Sequence, residues 1–119
     1  MGLVQRIRRR PSAFECDQST LATLVERGAD LDRERLLRHF LFTAADSDAV
    51  RVAKELRDQG FDVDITPMSR GRGFVVSAER EQVVNSLTVA AARERFEAVA
   101  AGTRRGLYDG WEATVVELV

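Results

Sequence analysis

The sequence predicts an α+β fold of ferredoxin-like type: βαββαβ, a four-stranded antiparallel sheet with two helices on one face, preceded by a short N-terminal helix. Three observations carry this. Strand-period and helix-period segments follow one another in that order. One strand alternates strictly and runs into a proline. Glycines stand where the helical patterns stop.

The leading helix is expected over Leu21–Gly28. Ser19 or Thr20 is available to cap it, and Leu21, Leu24 and Val25 recur at helical spacing. Arg35 to Thr43 forms the first strand. Leu36, Leu37, Phe40, Leu41 and Phe42 make it apolar on both faces, as suits a central strand. Asp46 is the expected N-cap of the next helix, with Asp48 in its first turn, and Ala49, Val52, Ala53 and Leu56 give its buried stripe before Gly60.

Phe61 to Thr66 alternates apolar and polar and meets Pro67, the pattern of a half-exposed edge strand. A Gly/Arg turn over 69–73 returns the chain into a strand at Phe74–Ala78. The long helix lies within Glu81–Ala101, with Asn85 or Ser86 as caps for a later start. Its buried side is assigned to Val84, Leu87, Ala91, Val89, Ala92, Phe96 and Val99. Tyr108 to Leu118 is the last strand, with Trp111, Ala113 and Val115 on one face and Trp111 packed near Phe96 or Val99.

At 119 residues this is a single domain, 13–119, after a basic flexible arm, 1–12. Arg6, Arg8, Arg9 and Arg10 make that arm strongly positive, while the rest of the chain carries 14 basic and 19 acidic residues. The net charge of −1 fits neither a polyanion mimic nor a general nucleic-acid binder. The single Cys16 forms no internal disulfide, and neither a signal peptide nor a membrane span is read from the sequence. The expected setting is cytoplasmic.

No catalytic apparatus is legible. His39, the only histidine, stands mid-strand without a flanking motif. It has no nearby cysteine to make a metal-ligand spacing, and Asp62 with Asp64 is too small a set for a calcium loop. Gly71-Arg72-Gly73 joins two strands and lacks the Lys-Ser/Thr of a phosphate loop. The chain is therefore expected to be no enzyme and to need no cofactor or metal.

Helices after the first strand cover only one face of such a sheet. Phe40, Phe42, Phe74, Val76, Val63 and Trp111 are assigned to the covered face. By alternation Leu37, His39, Leu41, Val75, Thr114 and Val116 then form an open face, the candidate site for a protein partner. The leading helix, a partner or a second copy of the chain would shield it. That face lacks the exposed Phe or Tyr pair on which RNA bases stack, so direct nucleic-acid binding is not expected.

Tyr108-Asp109-Gly110-Trp111 is the most distinctive string. Asp-Gly supplies a turn or bulge, and Trp111 a core anchor. Opening the last strand after a long helix and a βαββ unit, it resembles the family of regulators of ribonuclease E activity B. With the leading helix, the resemblance covers roughly residues 17–119. It implies a ferredoxin-like domain that binds an endoribonuclease and lowers its RNA-decay activity without chemistry of its own. The best-known members of that family look strongly acidic and end in an acidic tail, whereas this chain is nearly neutral. The alternatives are a self-associating domain, homodimer included, and a small-ligand-binding domain using the open sheet face around His39.

Overall fold

The computed structural model describes residues 13–114. The basic arm, Val115, Val116 and the expected continuation of the last strand to Leu118 lie outside the described residues.

The elements run α1 (Ala13–Glu26), β1 (Glu34–Thr43), α2 (Asp46–Asp58), β2 (Asp62–Pro67), β3 (Phe74–Val83), α3 (Ser86–Ala101) and β4 (Leu107–Ala113). The sheet order is β2-β3-β1-β4, antiparallel at each pairing, which is the ferredoxin-like arrangement behind an additional leading helix. As expected, β2 is an edge strand, with Asp62 and Asp64 exposed and Val63 buried.

Burial in β1 alternates without a break. Arg35, Leu37, His39, Leu41 and Thr43 are buried, and the residues between them are not. The register sets Leu41 beside Val76 and Tyr108, and His39 beside Ala78 and Trp111. Two core clusters grow on this side. One joins Leu41, Val76 and Ala78 to Leu56 and Val52 of α2 and to Phe96 of α3. The other joins Leu37 to Leu21 and Leu24 of α1 and to Val84 and Val89.

Several expectations are corrected. Leu37, His39 and Leu41 are not on the open face; they lie under the helices, and Phe40 and Phe42 lie on the open side instead. A strand apolar on both faces fixes two classes of residue but not which class the helices cover. The charged neighbours decide it, because Arg38 shares a face with Phe40 and pairs with Glu79 of β3. The leading helix covers Leu37 through Leu21 and Leu24, but on the helical side of the sheet, and Val25 is exposed.

The first helix begins at Ala13, so Ser19 and Thr20 are interior residues. Thr20 donates its hydroxyl to the Cys16 carbonyl rather than capping an end. The N-cap of α2 is Ala45, without a side-chain hydrogen bond, and Asp46 is the first helical residue. In α3 Asn85 is the cap, in a reciprocal capping box with Thr88. β3 runs on to Val83 because Glu81, Gln82 and Val83 pair with Leu36, Arg35 and Glu34. Leu87, assigned to the core, is 82% exposed, and Ala91 is exposed as well.

Candidate functional site

The site begins with a change of parity in β4. Leu41 faces Tyr108 and His39 faces Trp111, so Phe40 alone opposes the two residues Asp109 and Gly110. In a regular strand, positions three apart point to opposite faces. The extra residue brings Tyr108 and Trp111 to the same helical side. Gly110 takes φ 103°, a left-handed conformation that glycine adopts without a Cβ penalty.

Each aromatic residue then meets a polar partner. The Tyr108 hydroxyl lies 2.8 Å from His39 Nδ1. Phe96 stacks on both rings, on His39 at 4.1 Å between centroids and on Tyr108 at 5.5 Å. Burial, with Arg80, Arg93 and Arg95 nearby, lowers the His39 pKa to about 4, so the imidazole is neutral near pH 7. His39 Nδ1 is the only hydrogen-bond partner of the Tyr108 hydroxyl among the described residues. The direction of this bond follows the tautomer: with the imidazole proton on Nε2, the phenol O–H donates to Nδ1. That Nε2 is buried without a partner.

Trp111 is half-buried and packs against the cluster of Leu21, Leu24 and Val89, not beside Phe96 or Val99 as expected. Its Nε1–H donates to Asp17 Oδ1 at 2.9 Å. Asp17 also accepts two bonds from Arg93, Nε to Oδ2 at 2.8 Å and a second guanidinium nitrogen to Oδ1 at 2.9 Å. Burial alone would raise the Asp17 pKa, but the bonds from Arg93 and Trp111 outweigh it and hold the carboxyl below its ordinary value. The Arg93 guanidinium also sits over the Tyr108 ring at 4.9 Å. Tyr108, Gly110 and Trp111 thus lock β4 to β1 and α1. Asp109 is exposed.

The opposite side of the sheet is an outward-facing surface. Leu36, Phe40, Phe42, Val75 and Ser77 are half-buried there, and Thr114 is exposed. Of the candidate partner-binding residues, only Val75 and Thr114 belong to this surface among those described. Phe40 and Phe42 are its apolar members that sequence reasoning missed, and they supply the Phe pair that the open face was expected to lack, so the expectation against base stacking loses that ground. Arg38 lies between Glu79 at 3.2 Å and Glu112 at 3.8 Å. Glu81, Asp62 and Asp64 have the same strand parity, by their pairing with Leu36, Glu79 and Ser77.

Among the described residues no group of three His, Cys, Asp or Glu side chains is placed to hold a metal ion. No helix among them is long and apolar enough to cross a membrane. No curated protein matches the chain. The family model described as regulator of ribonuclease activity B matches residues 15–113, from the first helix through the whole of β4.

Proposed function

The chain belongs to the regulator of ribonuclease activity B family, and from that membership we propose that it lowers the activity of an endoribonuclease by docking its open sheet face on a basic segment of that enzyme. The family is one of regulators, not of enzymes. Inhibition here is a binding event that occludes or repositions the partner.

The composition of the open face carries this reading. Phe40, Phe42 and Val75 give an apolar strip. Glu79, Glu81, Glu112, Asp62 and Asp64 frame it, and exposed Asp109 stands at the bulge beside Phe40. Arg38 is the only cation on the strands of this face among the described residues, and two glutamates engage it. An aromatic centre inside an acidic frame suits arginine-rich chain, since rings take guanidinium planes and carboxylates take their N–H forks. The same frame repels a phosphate backbone, which disfavours direct nucleic-acid binding. Asp62, Asp64 and Pro67 on edge strand β2 also disfavour self-association by strand pairing. The role in RNA decay belongs to the cytoplasm.

Calorimetric titration of the chain into the endoribonuclease at low and high salt tests this reading. A charge-framed interface loses affinity steeply as salt screens it. Affinity that is unchanged by salt would count against the acidic frame.

A further inference from the structure

On the helical side of the sheet, a cavity of about 160 Å³ opens between β3 and α3. Its lining includes His39, Arg80, Gln82, Thr88, Arg95 and Phe96. A water occupies roughly 30 Å³ of liquid volume, so the space suits a small molecular group.

The polar side chains here are donor-rich. Arg80 lies over the Phe61 ring at 4.1 Å, with Nε donating to Gln82 at 3.1 Å and a terminal nitrogen to the Gln59 carbonyl at 3.0 Å. Arg95 donates to the Gln59 side-chain oxygen at 3.2 Å. None of these acceptors is a carboxylate. Elsewhere Arg38, Arg51 and Arg93 each hold an acid. Each guanidinium has five N–H donors in a fork that matches an oxyanion, so donor capacity is left at the cavity.

His39 supplies the second observation. It is 1% exposed, lines the cavity, and carries a buried Nε2 with no partner. With Tyr108 donating to Nδ1, that nitrogen is an N–H donor. A buried donor without an acceptor is costly, and an acceptor entering the cavity would relieve it.

We propose that this cavity binds a small oxyanion, the phosphate or carboxylate group of a metabolite, between the Arg80 and Arg95 guanidinium groups with the His39 Nε2–H as its inner donor. The site lies across the sheet from the proposed docking face and does not depend on it. Burial and the nearby Arg95 charge both disfavour the Arg80 cation, and a bound anion offsets both. An occupied site would couple a small-molecule signal to the Tyr108–His39 contact beneath β4.

The test is a titration of the labelled full chain with inorganic phosphate and, separately, acetate, at constant ionic strength set by chloride. The His39 ring resonances are followed by NMR. A saturable shift is expected with at least one of the two anions, and which one saturates tells phosphate from carboxylate. The His39 pKa should rise from about 4 in the presence of the anion that binds. Arg95→Gln, at an exposed position that should not disturb folding, should weaken binding about tenfold, as expected for a lost charge-assisted hydrogen bond. Shifts that fail to saturate, that chloride reproduces, or that persist at full affinity in Arg95→Gln would overturn the proposal.

Discussion

Trp111 donates its indole N–H to Asp17 at 2.9 Å, tying the last strand to the first helix across 94 positions of sequence. The bond depends on the β4 bulge, which turns Trp111 to the helical side together with Tyr108. It also depends on Arg93, which holds the same carboxylate from α3. Three elements therefore meet on one buried carboxylate.

Asp17→Ala should destabilise the chain by about 3 kcal/mol, because it leaves Arg93 and the Trp111 N–H without their shared acceptor in a largely buried place. Urea unfolding measures this. A midpoint equal to that of the parent would mean that α1 is not held through this carboxylate.

Stability should fall with acid over a defined window. The unfolded chain protonates its histidine near pH 6.5, and the folded chain only near 4. Between those values the unfolded state binds more protons, so folding weakens as pH falls. The difference amounts to about 3 kcal/mol by pH 4. Asp17, whose folded pKa is depressed, adds a further loss at lower pH, below its ordinary range. Urea midpoints at pH 7.5 and 4.5, for the parent and for His39→Gln, isolate the histidine part. The parent should lose more than the variant; equal losses would show that His39 takes up its proton freely in the fold.

Glycine substitutions should rank by local geometry. Gly110→Ala meets no atom within 4 Å, so its cost is conformational only, about 1–2 kcal/mol at positive φ. Gly73→Ala has a positive φ as well, and its Cβ would lie 2.5 Å from the Phe42 ring and 2.9 Å from the Thr43 carbonyl oxygen. Gly73→Ala should therefore be the more destabilising of the two in thermal melts. The reverse order would contradict the packing of Phe42 over the turn.

Substitutions in β1 should reveal which face is buried. Leu41→Asp places a charge at a position 1% exposed and should cost about 4 kcal/mol or more. Phe40→Ser, one residue away on the open face, should cost only about 1 kcal/mol. Comparable losses by circular dichroism would mean that both faces are covered.

Much of this architecture is legible in local sequence. The α2 stripe Ala49, Val52, Ala53 and Leu56 is fully buried, and β2 alternates as its residues imply. The faces of β1 were harder. Phe40 and Phe42 are larger than Leu37 and Leu41, and volume suggests the core, yet the charges of Arg38, Glu79 and Glu81 mark their side as the wet one. Those charges become informative only with the register between β1 and β3. The Asp17 network is not visible locally at all, because its partners are 76 and 94 positions away. Asp17 also shares a helix face with Leu21 and Leu24, where an acid reads as an interruption of the stripe.

The most direct test of the regulatory account is an RNA-cleavage assay with the endoribonuclease, comparing the parent chain with the double variant Phe40→Ser, Glu112→Lys. Both positions lie on the open face and outside the helical core, so the variant should stay folded, with a melting temperature lowered by the few degrees that the Phe40→Ser cost implies. The parent should inhibit cleavage, and the variant should require at least about tenfold more protein for half-maximal inhibition, the size expected on losing a central aromatic contact and reversing a charge. A folded variant that inhibits as well as the parent would contradict docking through this face.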